Sequence, residues 1–197
     1  MLVNNYLNYI GSKDRYLPQI LELIKQAKNE NAAETLIDLF CGSAVVAINA
    51  QDLFKKVYCY DACKQLIDLH SWIRRTDKDD VLNQIDNVID SYKLSKTNKE
   101  GFLKLREAYN SLIPLYKSMP ILDVMLFCLV MHSYNYSFHF NKKGEYNAPA
   151  GTNRSSFNNS LRTKLINFKD ALDKSSKIEF YTSDFQNVLC IPAQADG

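Results

Sequence analysis

The sequence predicts an α/β fold in which a small parallel sheet is interrupted by a long helical insertion. Three observations point to it. Short apolar runs rich in strand formers stand at residues 35–40, 57–60 and 177–181, and the first two flank a glycine turn and a helical stretch. Helical periodicity dominates the interval from 62 to 176. The chain has 197 residues and is 46% hydrophobic, enough for one core that buries roughly 70% of the unfolded surface.

Each element has a local reason. Leu17, Ile20, Leu21 and Ile24 share one face of a helix from about Tyr16 to Lys28, and Pro18 is tolerated because it falls in the first turn. Thr35-Leu-Ile-Asp-Leu-Phe40 reads as a strand that breaks at Gly42. Residues 44–53 then read as a helix, and Val57-Tyr-Cys-Tyr60 as a second strand ending at Asp61. Strand, tight turn, helix, strand and acidic residue make a βαβ unit. Further on, Asp79 and Asp80 are expected to cap a helix carrying Val81, Ile85, Val88, Ile89 and Tyr92. Phe102, Leu105, Tyr109 and Leu112 form another stripe, ended by Pro114. The run from Ile121 to Met131 is apolar almost all round, which predicts a helix buried at the centre. A long non-helical stretch, 133–159, leads into a last helix with Leu161, Leu165, Phe168 and Leu172, and Lys177-Ile-Glu-Phe-Tyr181 returns to strand. Three short strands leave the sheet looking unfinished.

Charge excludes little in total and more in detail. The net charge is +2, from 24 Lys+Arg and 22 Asp+Glu. Yet eight basic residues (Lys142, Lys143, Arg154, Arg162, Lys164, Lys169, Lys174 and Lys177) face only Glu145, Asp170 and Asp173 between positions 139 and 177, so the remainder of the chain is acidic. Five cysteines, at 41, 59, 63, 128 and 190, have neither zinc-ribbon nor disulfide-framework spacing, and His70, His132 and His139 supply no obvious further ligands. No metal is expected. The N-terminus lacks a basic segment followed by an apolar run, and the longest apolar stretch is interrupted by Asp123, so a cytoplasmic protein without a membrane span is expected.

Two places could carry chemistry. Asp38-Leu-Phe-Cys-Gly-Ser43 lies at the carboxyl end of the first strand, where ligands bind in open α/β sheets, and Asp61 ends the second, placed to accept from a ribose diol. Alternatively, Gly42 merely turns the chain and Asp61 merely caps it. With Ala44 and Ala47 where a dinucleotide fingerprint has glycines, a ligand without phosphates fits better. Asn8-Tyr-Ile-Gly-Ser-Lys13 adds an aromatic face and a cation, which suit a sulfonium and a carboxylate; singly, Lys13 reads equally as a solvated lysine. The second place is Ser133-Tyr-Asn-Tyr-Ser-Phe-His-Phe140, where aromatic and polar side chains interleave just ahead of the basic stretch. Such a series either stacks on bases beside phosphate-neutralising cations or packs one strand face on a core.

These residues resemble the Dam-type adenine-specific DNA methyltransferases. That family has an N-terminal (Tyr/Trp)-x-Gly-(Gly/Ser)-Lys, a Phe-x-Gly-(Ser/Ala/Thr)-Gly turn, an acidic end to the second strand and an Asn-x-x-Gly-x-(Phe/Tyr)-Asn-x-Pro-x-Gly signature. Here, in the same order, stand Tyr9-Ile-Gly-Ser-Lys13, Phe40-Cys-Gly-Ser43, Asp61, and a segment from Asn141 through Gly144, Tyr146, Asn147 and Pro149 to Gly151, while Ala44 replaces the usual second glycine.

The resemblance implies the first half of a Rossmann-like, S-adenosylmethionine-dependent methyltransferase sheet (residues 1–61 and 177–197) with an inserted helical target-recognition domain (62–176). It implies that Tyr9 and Lys13 line the methionine end of S-adenosylmethionine, that Asp38, Phe40 and Gly42 form the strand-end wall, that Asp61 binds the ribose, and that Asp184 and Phe185 edge the adenine. It places Tyr134, Tyr136, His139, Asn141, Lys142, Lys143, Asn147, Pro149, Thr152 and Arg154 against double-stranded DNA. Family members read a guanine with an arginine where this chain has Thr152, and Arg154 is the substitute through a shifted loop.

The family's catalytic Asp-Pro-Pro-Tyr, expected on a fourth strand beyond Gly197, occurs nowhere in the chain. The expectation is therefore the N-terminal part of an enzyme that methylates the exocyclic amino group of adenine in a restriction–modification or phage-like setting, inactive alone. The alternatives are a non-catalytic DNA-binding fragment that a C-terminal chain complements, and a small-molecule or RNA methyltransferase, which leaves the basic aromatic loop without a purpose.

Overall fold

The computed structural model describes residues 2–8, 11–115 and 119–189. A 3-10 turn, Asp14–Tyr16, opens into α1 (Leu17–Asn31); β1 (Thr35–Asp38), α2 (Val45–Ala50), a 3-10 turn (Gln51–Leu53) and β2 (Lys56–Asp61) follow. Next come α3 (Lys64–Arg75), α4 (Lys78–Tyr92), α5 (Lys99–Leu112), α6 (Pro120–His132) and α7 (Asn159–Asp173), and the chain returns through β3 (Ile178–Thr182) to the short α8 (Phe185–Leu189).

The sheet has the order β1-β2-β3 with both pairings parallel, so all three strands end on the same side. Asp38 pairs with Cys59, and Asp61 with Thr182, two residues further along. On the central strand Val57 and Cys59 are fully buried. β1 forms an edge: among the described residues no strand pairs with its outer side, and Ile37 is 52% exposed.

Most helix ends follow from local chemistry. The side chains of Asn98 and Asn158 accept from the backbone N–H groups of Gly101 and Leu161, capping α5 and α7. α4 departs from expectation. Its N-cap is Asp77, which makes no side-chain cap bond, while Asp79 and Asp80 lie inside the first turn, where their charges still complement the helix dipole. α3, which the sequence did not set apart, buries Leu66, Ile67, Leu69, Trp72 and Ile73 and packs on β2 and β3.

α6 is buried along every residue from Val124 to His132 and packs against α3, α4 and α5. That explains its apolar circumference, since no face meets water. α7 is fastened across the helices by polar contacts: Arg162 grips Asp86 through both guanidinium nitrogens, and Lys78 meets Asp170 at 2.8 Å. One hydrophobic cluster runs from Tyr6 through the sheet and the helices to Ile178. The N-terminal segment joins it, because Asn49 holds both backbone groups of Val3 and the rings of Tyr6 and Phe168 approach to 4.3 Å.

Phe127 sits at the middle of α6, fully buried, with the rings of Tyr6 and Trp72 each at 6.4 Å and Phe157 at 5.3 Å. Phe127→Ala should cost about 3–5 kcal/mol of stability, read as a fall in the denaturant midpoint at unchanged slope.

Candidate functional site

A cavity of about 420 Å³ opens at the carboxyl ends of β1 and β2, lined by Gly11, Ser12, Lys13, Asp38, Phe40, Gly42 and Asp61 among others. Its volume is within the roughly 300–1,000 Å³ usual for small-ligand sites. Three separate segments build it. The N-terminal segment is brought to the strand ends because Asn5 donates its N–H to Asp14 at 3.0 Å and Tyr6 and Leu7 are fully buried. Tyr9 lies outside the described residues. Lys13 is exposed on the wall and donates to the Gly11 carbonyl at 2.9 Å.

The turn after β1 is the most constrained part. Gly42 has φ +49°, and the nearest atom to a Cβ placed there would be the Phe40 carbonyl oxygen at 3.9 Å. Backbone conformation, not lack of room, thus selects glycine. The following Ala44 also has a positive φ, +58°, although it carries a side chain. Asp61 is central to this turn: one carboxylate oxygen accepts from the Gly42 N–H at 3.0 Å and the other from the Cys63 N–H at 2.9 Å. Each oxygen keeps acceptor capacity for a ligand.

On the other side, the His70 Nε2 lies 2.7 Å from the Gly42 carbonyl and its Nδ1 2.9 Å from the Tyr6 hydroxyl. A carbonyl only accepts, so Nε2 carries the proton and Nδ1 accepts from Tyr6. Burial pushes the His70 pKa down to about 4, against the opposing pull of its bond to Gly42 and the nearby Asp61 charge.

Burial raises the Asp38 pKa, which the Phe40 N–H counteracts; nearby Asp61 pushes it further up and Lys13 pulls it down. Two carboxylates and one ammonium around a partly apolar cleft complement a ligand carrying charges of both signs and a hydroxyl pair. Of the residues read from sequence, Lys13, Asp38, Phe40, Gly42 and Asp61 come together here. Asp184 and Phe185 do not line the cavity. Phe185 instead packs its ring on Phe40 at 5.1 Å, and Asp184 accepts from the Gln186 N–H at the start of α8. Tyr6 and His70 carried no signal in the sequence, since a histidine among the apolar positions of α3 looks like any core residue.

The segment from 133 to 155 folds as a hairpin held by bridges Phe140–Tyr146 and Ser133–Ala150. α5 fixes it from behind: Asn110 makes two hydrogen bonds to the backbone of Tyr146, at 2.8 and 3.0 Å, and Arg106 donates to the Ala148 carbonyl. Gly151 is required sterically, because an added Cβ would lie 2.6 Å from the Ser133 carbonyl oxygen. Tyr134, His139, Lys142, Lys143, Asn147, Pro149, Thr152 and Arg154 are exposed, and Tyr136 and Asn141 are half-buried. Some are already engaged within the hairpin. Asn141 closes the turn by accepting from Lys143 and Glu145 and donating to the Glu145 carboxylate, and His139 bonds Asn147. The Arg154 guanidinium lies 5.2 Å from the centre of the Tyr134 ring and donates to its hydroxyl. The basic stretch is less open than its composition implies, because Arg162 is spent on Asp86 and buried Lys169 on Asp173.

A second cavity, of about 340 Å³, lies among α3, α5 and α6, where Asp123 meets Arg75 at 3.3 Å. Burial, helped by the nearby Asp68 charge, pushes the Asp123 pKa up to about 7. No helix among the described residues is long and apolar enough to cross a membrane.

Residues 9–196 match the family model described as D12 class N6 adenine-specific DNA methyltransferase. The chain is 34% identical over 185 residues to the Type II methyltransferase M.FokI of Planomicrobium okeanokoites, an alignment covering 94% of this chain and 26% of that protein. It is 35% identical over 190 residues to the modification methylase StsI of Streptococcus sanguinis, covering 94% and 27%. With the modification methylase LlaI of Lactococcus lactis subsp. lactis the identity is 29% over 162 residues. The chain thus spans about a quarter of the length of these relatives.

The displaced pKa values of His70 and Asp123 give opposite pH dependences. Unfolded, His70 takes its proton near 6.5 but folded only near 4, so acidification through that window erodes stability by on the order of 3 kcal/mol. Asp123 holds its proton up to about 7 folded against 3.8 unfolded, so its contribution is lost as pH rises from 3.8 to 7. Relative to the parent, His70→Gln should gain stability as pH falls from 6.5 to 4, and Asp123→Asn as it rises from 4 to 7. Denaturant titrations across that range check both signs.

Proposed function

Because the chain belongs to the D12 class of N6 adenine-specific DNA methyltransferases, we propose that its strand-end cavity binds S-adenosylmethionine and its hairpin reads double-stranded DNA. In the whole protein, on this reading, the methyl group passes to the exocyclic amino group of adenine. The observation that carries the proposal is the convergence of Lys13, Asp38, Phe40, Gly42 and Asp61 from three segments on one cavity.

The residues suit that cofactor. Lys13 complements its carboxylate, Asp38 faces its positive charges, and the spare acceptor capacity of Asp61 complements the ribose hydroxyls. Phe40, 70% exposed and packed on Phe185, offers a ring beside which the adenine can lie, with Asp184 at its edge. Tyr9 is assigned to the methionine end with Lys13. When bound, S-adenosylmethionine supplies a methyl group activated on a sulfonium sulfur. The chain's own part is to bind and orient it, holding the turn rigid so that little reorganisation remains at transfer.

On the DNA side, Lys142 and Lys143 are assigned to phosphates. Tyr134 and Arg154 form a stacked pair able to meet a base edge, with Tyr136, His139, Asn141, Asn147, Pro149 and Thr152 around them. Under this reading residues 62–176 act as the target-recognition unit, and 1–61 with 177–197 as the cofactor unit. A second reading is that residues 1–197 bind cofactor and DNA without themselves transferring the methyl, which a complementing C-terminal chain would then supply.

Asp61→Asn should weaken S-adenosylmethionine binding about 10- to 100-fold, as expected for a charged acceptor worth 1.5–3 kcal/mol; calorimetry measures it, and unchanged affinity removes Asp61 from the site. Changing both Lys142 and Lys143 to Ala should lower the slope of log affinity against log salt for duplex DNA by about two. A gel-shift series over salt reads it, and an unchanged slope removes the hairpin tip from the interface.

A further inference from the structure

We propose that Tyr6 and His70 are positioning residues for the cofactor turn: through the Gly42 carbonyl they set the backbone that S-adenosylmethionine meets. The inference rests on the cofactor reading above. Gly42 bears no side chain, and almost nothing surrounds the site where one would project, so no side-chain packing of its own orients its two peptide groups. Its neighbours Cys41, Ser43 and Ala44 are buried, and hydrogen bonds orient Gly42 between them. Asp61 accepts from the Gly42 N–H and the His70 Nε2–H donates to the Gly42 carbonyl, fixing the peptide planes on either side of its Cα.

The imidazole is itself locked. Its ring stacks on Phe180 at 5.0 Å and 22°, meets Phe168 at 6.0 Å and is met edge-on by Tyr6 at 5.8 Å. His70 and Tyr6 are both fully buried. The Tyr6 hydroxyl occupies Nδ1, which leaves the proton on Nε2, where the turn needs it. Burial raises the Tyr6 pKa well above its ordinary value, so the phenol keeps the proton it donates. The one charged group acting on the ring is the Asp61 carboxylate; the faces presented by α7 and β3 are phenyl rings. A buried histidine and tyrosine satisfied only by each other would be core residues. Here the third member of the chain is the peptide that lines the cavity.

The test combines ring NMR on the whole, unsubstituted chain with S-adenosylmethionine calorimetry on three variants. Nitrogen shifts should report His70 neutral and protonated on Nε2 at pH 7, holding that form to about pH 5. His70→Phe, which retains a ring but cannot donate, should lose at least tenfold in affinity, and His70→Gln, whose amide can donate to the Gly42 carbonyl, should recover part of the loss. Tyr6→Phe leaves the packing in place and should lose about fivefold, the worth of roughly one neutral hydrogen bond; it serves even if His70→Phe fails to fold. A ring protonated on Nδ1, or full affinity in Tyr6→Phe together with either His70→Phe or His70→Gln, overturns the positioning role while the cofactor reading stands. An unsubstituted chain with the Nε2–H ring but no binding of S-adenosylmethionine overturns the cofactor reading and this inference with it.

Discussion

The two peptide groups around Gly42 keep a left-handed turn at the end of β1, and each has a partner anchored elsewhere. The N–H is held from the tip of β2 by Asp61, the carbonyl from α3 by His70, and His70 in turn from the N-terminal segment by Tyr6. Through the Tyr6 ring the same chain reaches Phe127 of α6 and Phe168 of α7. Small displacements of the helices are therefore felt at the strand ends. Close-packed interiors transmit such shifts because side chains have few alternative positions. The helices and the sheet consequently share one hydrophobic cluster, with α2 and α3 each touching both.

The hairpin follows a different rule. Its backbone is gripped by Asn110 and Arg106 and closed by Asn141, while Gly151 allows the incoming and outgoing strands to touch. Little of its shape depends on the side chains that face outward. Tyr134, Lys142, Lys143, Thr152 and Arg154 can thus vary without unfolding the support, as expected of exposed loop residues on a fixed frame. Pairing Arg154 with the Tyr134 ring also orders a long side chain in advance, which lowers the entropy that any further contact of it would cost.

Much of this was legible in the sequence, for identifiable reasons. β1, α2 and β2 were readable because strand formers, a glycine and an acidic residue succeed one another within 27 residues, from Thr35 to Asp61. α6 was readable because a helix buried on all sides must be apolar on all sides. The cavity residues were legible as motifs, and the fold brings five of them together. What stayed hidden depends on distance along the chain. Nothing near His70 shows that its partners are Gly42, 28 residues earlier, and Tyr6, 64 residues earlier. α3 begins directly after the acidic strand end at Cys63, which supplies no side-chain cap, so its start has no marker. The cap of α4 falls on Asp77 and not on Asp79 or Asp80, because three acids lie close together and only backbone angles distinguish the outermost. The basic stretch was overcounted, since pairing of Arg162 with Asp86 spans 76 residues.

The open flank of β1 bears on how the chain behaves in a tube. Among the described residues no strand pairs with its outer side, which leaves a row of backbone amides and carbonyls beside Ile37, with the exposed ring of Phe40 just past the end of β1. Such a row is a ready template for another extended segment, and no lysine, proline or bulge within β1 guards it. Handled by itself, the chain carries this edge alongside its strand-end cavity. Colloidal behaviour then becomes a reporter of the sheet: a segment that completes the edge should improve solubility before any change in chemistry is measured.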